Sequence, residues 1–274
     1  MTVKLKKQIL RIGRFSVIAL FLASFAILLA GAGKEERIRT IEEVAVEVAE
    51  EPGVWFVDEA DVMRILGEMN VDTFQQATVA AVDLARIETA LEAEPQVDVA
   101  EAWVGGGGAL QVEVTQRLPL VRVMHTNGVS YYLDVKGNPM PLSATFTARV
   151  PLVSGHLGPI PDLTARSTEL EGAEETSDQS AVRQEIVELT SYISQHPFWS
   201  AMIEQIHRTE EGKYQLVPKV GDHIALLGRM EGYRTKLDKL LIFYREGLGH
   251  EGWSSISEID LQYDGLAVVK KTAN

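Results

Sequence analysis

Near the C-terminus, Ile259, Leu261 and Tyr263 interleave with Glu258, Asp260 and Gln262, a period of two that predicts a strand with one buried face. Asp264-Gly265 reads as a two-residue hairpin turn, with Leu266 to Lys271 returning as a second strand. That last strand either completes a core or is an edge left open for another chain. Upstream the period lengthens to that of helices. Asp58 is the expected N-cap of a helix over 58–69 that aligns Val62, Ile65, Leu66 and Met69. A second helix is predicted over 80–93 on Leu84, Ile87 and Leu91, stopped by Pro95. Strands follow at 96–104 and 109–118, joined by the glycines at 105–108. The stretch 40–50 is compatible with helix or strand, although its β-branched residues suit a strand that pairs with the later two.

Beyond Pro119 the pattern is rich in strands, at 121–124, 129–142 and 148–155. Residues 156–180 carry Pro, Gly, Ser, Thr and Glu without an apolar period and read as an exposed, flexible acidic loop. Val182, Ile186, Leu189 and Ile193 place a helix at 181–195. Strands at 202–208, 213–218 and 222–227 lead to a helix at 231–246, and a hairpin at 255–271 closes the chain. The expected fold class is α+β, with a small β-α-α-β-β domain (38–118) followed by a mixed β-sheet domain with two amphipathic helices (119–271).

Charge changes this picture at the N-terminus. The net charge is −13, yet residues 1–39 hold eight Lys/Arg against two acids. Phe15 to Gly33 is uncharged over nineteen residues, close to the ~20 that cross hydrocarbon as a helix. Five basic residues precede it, so residues 1–14 are expected to stay cytoplasmic, 15–33 to span the membrane, and the remainder to lie outside. The alternative is a cleaved signal peptide ending near Ala30-Gly31-Ala32. Both export the acidic body, whose charge would repel a phosphate backbone, so nucleic-acid binding is not expected.

Candidate chemistry is sparse. With no cysteine, thiol catalysis, Cys-zinc sites and disulfides are excluded. Gly247 to Gly252 spells G-x-G-x-x-G, but it follows a predicted helix and precedes a strand, the reverse of a dinucleotide fingerprint. The six histidines are scattered, and Ser154 lacks a G-x-S-x-G context. Asp134 and Asp264 sit in turns, where capping backbone amides is their expected work. No catalytic, metal or cofactor-binding residue is expected.

Four features occur in order: a basic tail with one span, the β-α-α-β-β block, "YYLDVKGNPMPL" (131–142) and "IDLQYDGLAVV" (259–269). The block resembles a POTRA domain, and the ordered set resembles the FtsQ/DivIB family of bacterial cell-division proteins. The chain departs from many members in carrying four glycines at 105–108 where they have Trp-Pro, and in its acidic 156–180 loop. The resemblance implies a non-enzymatic scaffold linking early and late division proteins at the septum, anchored in the inner membrane with its bulk periplasmic. Implied partners are FtsB-like and FtsL-like bitopic coiled-coil proteins, together with FtsW/FtsI-like septal synthesis proteins. The implied contact is the terminal strand edge: Tyr263, Leu266, Ala267, Val268, Val269 and Lys270. An open edge suits partner strands in general. The Lys270-Lys271 pair is read either as an edge gatekeeper or as a salt-bridge site for an acidic partner. Alternative functions are a POTRA-bearing export or outer-membrane assembly factor, and a periplasmic hydrolase.

Overall fold

The computed structural model describes residues 40–69, 78–163, 177–247 and 255–272. The expected membrane span at 15–33 lies outside them. No helix among the described residues is long and apolar enough to cross a membrane. The chain divides into two compact units, one holding residues up to Ala49, Asp58–Glu92 and Val99–Thr115, the other Glu50–Val57, Ala93–Asp98 and Gln116 onward.

In the first unit, β1 (Glu43–Val48) resolves the helix-or-strand alternative as a strand. It pairs in parallel with β3 (Ala109–Gln116), in the register Val44↔Leu110, Val46↔Val112 and Val48↔Val114. It does not pair with β2 (Val97–Val104), since the sheet order is β1-β3-β2. Gly108 closes the β2–β3 hairpin at φ 83°, and a Cβ there would come 3.0 Å from the Thr40 carbonyl oxygen, which explains a glycine at that point.

Helix α1 (Glu59–Glu68) begins where Asp58 accepts from the Asp61 amide (2.9 Å) while Asp61 accepts from the Asp58 amide (3.3 Å). This reciprocal cap satisfies two otherwise orphaned donors. Val62, Ile65 and Leu66 are buried as their spacing predicts. Helix α2 (Leu84–Glu92) starts later than residue 80 because Asp83 accepts from the Arg86 amide at 3.1 Å, and Val79–Ala81 form a separate 3-10 turn.

The second unit is a nine-stranded mixed sheet in the order β12-β11-β10-β9-β8-β7-β4-β5-β6. Its strands are β4 (Pro119–Met124), β5 (Ser130–Asp134), β6 (Pro139–Pro141), β7 (Leu152–Gly155), β8 (Ile203–Arg208), β9 (Tyr214–Pro218), β10 (Ile224–Gly228), β11 (Ile256–Asp260) and β12 (Val268–Lys271). One face packs against α3 (Ser177–Gln195), α4 (Pro197–Met202) and α5 (Tyr233–Ile242). Val153, Ile206, Leu216, Ala225 and Ile259 meet Ile186, Leu189, Trp199, Leu237 and Leu240 in that core.

Two corrections concern the helices. Helix α3 begins at Ser177, inside the stretch expected to be loop, and α4 is a third helix where two were expected. His196 Nδ1 accepts from the Phe198 and Trp199 amides at 3.2 and 3.4 Å, and Pro197 takes the first position, where its missing N–H costs nothing. Helix α5 continues as a π-helical turn, Phe243–Gly247, so the start of the G-x-G-x-x-G run closes a helix; residues 248–254 lie outside the described residues.

The Asp134–Gly137 turn joins β5 to β6. Asp134 is 2% exposed, and its Oδ1 accepts from the Lys136 and Asn138 amides at 2.9 and 2.8 Å. The carboxylate caps the turn, as its position in D-x-x-G predicts.

Candidate functional site

The described strands give the large sheet two edges of opposite character. At one end, β6 is three residues long, and Pro139 and Pro141 bring no N–H, so Met140 is its single donor. Such an edge resists strand addition. At the other end β12 carries Val268, Val269, Lys270 and Lys271 with no proline. It pairs antiparallel with β11 in the register Asp260↔Val268, Ile259↔Val269 and Glu258↔Lys270. The Thr272 amide donates back to the Ser255 carbonyl at 2.9 Å. Strand alternation then directs the N–H of Val269 outward, away from β11.

The small sheet treats an edge differently. The Ala102 and Ala100 amides of β2 donate to Glu88 (2.9 Å) and Glu92 (3.4 Å), which stand one turn apart on α2. Carboxylates from a helix thus occupy donors that a foreign strand would need.

The expected site residues fall into two sets. Val268 and Lys270 lie on the exposed side of β12, whereas Val269 and Ala267 are partly buried against the core. Tyr263 and Leu266 are exposed at 56% and 64%, but they stand in a connection and not in a strand. The expected hairpin therefore needs correction. A turn does fall at Asp264-Gly265, yet it is the tip of a longer link, Leu261–Ala267, and the returning strand begins at Val268 instead of Leu266.

Local bonds explain the departure. The Gln262 amide donates to Asp260 Oδ1 at 2.9 Å, an Asx turn that bends the chain as β11 ends. Lys239 Nζ, on α5, then donates to the carbonyl oxygens of Leu261 (3.0 Å), Tyr263 (2.6 Å) and Leu266 (3.3 Å). Carbonyls drawn to a lysine are unavailable to a strand ladder. Nothing in the spacing of the sequence marks Lys239, whose partners lie 22–27 residues away.

Other clusters of polar side chains offer little chemistry. Ser154 Oγ lies 3.1 Å from His207 Nδ1 and accepts from Gln205 Nε2 at 2.9 Å. These are neighbours across β7 and β8, and β7 lies between β4 and β8. Its amides serve those ladders and are not aimed at a developing oxyanion. A cavity of about 710 Å³ is lined by apolar groups including Val54, Trp55, Pro119 and Phe146, with Arg149 its one charged residue. No acid–base pair faces it. Burial lowers the pKa of His223, whose Nε2 lies 2.7 Å from the Tyr244 hydroxyl, and raises that of Tyr244. Burial and the Glu185 carboxylate together raise that of Tyr214. All three belong to the core. No group of three or more His, Asp or Glu that could hold a metal ion occurs among the described residues.

These features define a mixed α+β protein with a large sheet, one end of which is closed by prolines and the other presented as an open strand. A family model described as FtsQ/DivIB, C-terminal related, matches residues 118–269, more than half of the chain, and the protein belongs to that family. Membership indicates a role in cell division, among other division proteins, for a membrane protein of the division site. Among the curated proteins compared, none matches the chain.

Proposed function

We propose that the protein is a non-enzymatic scaffold of the division machinery that holds a partner chain on the outer edge of β12. The observation that carries this reading is the edge itself: β12 ends the order of described strands, and strand alternation from the Thr272–Ser255 bond turns the Val269 N–H outward beside exposed Tyr263, Leu266 and Val268. A partner strand laid there gains main-chain hydrogen bonds along the edge, and apolar contacts beside it add register. The partner class is an FtsB-like bitopic coiled-coil protein, with FtsL-like and FtsW/FtsI-like proteins in the same assembly.

The finer organisation belongs to the same proposal. Residues 38–118 are read as a POTRA-like domain, supported by the order β1-α1-α2-β2-β3. Residues 119–271 are the partner-holding β-domain. Residues 15–33 serve as an uncleaved anchor that leaves 1–14 in the cytoplasm and the bulk in the periplasm at the septum, supported by the basic flank and the apolar run.

The test is a pull-down of the co-expressed FtsB-like protein by the full chain carrying Leu266→Glu or Val268→Glu. Both side chains are exposed, at 64% and 47%, so folding should survive the added charge. Loss of partner with an unchanged melting curve supports the reading. Undiminished capture by both variants refutes it.

A further inference from the structure

Lys239 stands out because its ammonium is spent entirely on backbone oxygens. Three N–H bonds run from Nζ to Leu261, Tyr263 and Leu266, at 3.0, 2.6 and 3.3 Å. These acceptors bracket the Asp264-Gly265 turn, whose Gly265 takes φ 70°. An ammonium has three donors, so none is left for another chain. The apolar residues of the same segment, Tyr263 and Leu266, are left pointing to solvent at 56% and 64% exposure.

An exposed link of this kind would otherwise sample many conformations, each costly to restrict when a partner arrives. On the β11 side Leu261 is anchored by its amide to the Leu226 carbonyl and by full burial of its side chain. Beyond Leu261 the segment is tied by the Gln262–Asp260 contacts and by those of Lys239. Gly228 makes room for that first tie, since a Cβ there would sit 2.6 Å from Gln262 Cγ.

We infer that Lys239 is a positioning residue that pre-orders the Tyr263–Leu266 segment for partner docking. This rests on the docking role proposed for the β12 edge. It also divides the labour among the lysines: Lys239 supplies order, while Lys270, exposed on the strand, is the cation that faces a partner. Order and charge respond differently to salt, because a charge pair across an interface is screened, while the contact of one ammonium with neutral carbonyls of its own chain depends on salt far less.

The experiment compares full-length wild type, Lys239→Met, Lys270→Gln, Leu266→Glu and Val268→Glu, with the co-expressed FtsB-like protein as the probe. Met keeps the aliphatic stem and removes all three donors. Lys239→Met is expected to speed amide exchange in residues 262–267 of the free protein and leave β8 and β9 unchanged. It should weaken partner binding about tenfold through faster dissociation, and by the same factor at low and high salt. The loss caused by Lys270→Gln should instead shrink at high salt.

If Leu266→Glu abolishes binding while Lys239→Met binds as wild type does, the docking role stands and the positioning role is overturned. If Leu266→Glu and Val268→Glu both bind normally, the docking role fails and the positioning role falls with it. Unchanged exchange at 262–267 in Lys239→Met also overturns the inference, whatever the binding result.

Discussion

Replacing Asp134 by Ala tests the reading of the D-x-x-G turn as a backbone cap. The carboxylate is 2% exposed and accepts two backbone amides, Lys136 N at 2.9 Å and Asn138 N at 2.8 Å. Hydrogen bonds to a charged group contribute ~1.5–3 kcal/mol each. The two losses will not be equal in consequence. Lys136 is exposed, so water can reach its amide, whereas Asn138 is half-buried and its amide is left poorly partnered. The sum expected for Asp134→Ala is about 2–4 kcal/mol. Asp134→Asn keeps an acceptor oxygen in place without the charge and should lose roughly half as much. The assay is urea unfolding of the protein followed by tryptophan fluorescence, with Trp199, fully buried in the core of this unit, as the reporting side chain. A loss below ~0.5 kcal/mol for Asp134→Ala would refute the capping role. So would Asp134→Asn proving as damaging as the alanine variant.

Further predictions follow from the same physics. Gly155 has φ 105°, and a Cβ there would lie 2.1 Å from the Arg208 carbonyl oxygen, which already accepts from the His156 amide; Gly155→Ala should cost at least ~2 kcal/mol in the same urea assay, and a neutral result would contradict the close β7–β8 approach. Removing the caps on β2 with Glu88→Ala and Glu92→Ala together should increase self-association in light scattering, while unchanged scattering would show that the helix carboxylates do not guard that edge. His223 is held neutral by burial, its pKa lowered from 6.5, so the unfolded chain takes up its proton more readily. Stability from this source is complete above about pH 6.5 and falls as pH drops below it. His223→Gln should flatten part of that acid decline in thermal melts, and an identical decline would assign it to other groups such as His125, whose pKa burial also lowers.

What the sequence made legible follows from how local each cause is. The apolar stripe Val182, Ile186, Leu189 and Ile193 is buried in the core because helical spacing alone aligns it. The Asp134 turn was equally readable, since acceptor and amides lie within four residues. Helix α4 was missed because six residues are too few to display a period, although His196-Pro197 held the signal of a cap and a first-turn proline. Ser177 gave no apolar stripe to mark the earlier start of α3. Leu261–Ala267 was misjudged as strand and two-residue turn because the deciding group is a lysine on another element, and a lone lysine on a helix resembles any solvated side chain. The family resemblance rested on four ordered features; the family model covers 118–269, the stretch that holds the last two of them, and leaves the N-terminal span and the β-α-α-β-β block outside it. The edge position of β12 is a property of sheet order, which no local pattern encodes.

The claim at the centre of this account is that the outer edge of β12 receives a partner strand. Amide hydrogen exchange of the full-length protein, alone and with the FtsB-like protein bound, addresses it residue by residue. The account predicts that Val269, whose N–H points outward, exchanges rapidly in the free protein and becomes protected in the complex. Lys270, directed toward β11, should be protected in both states. Protection appearing elsewhere, with Val269 exchanging as fast in the complex as alone, would contradict it.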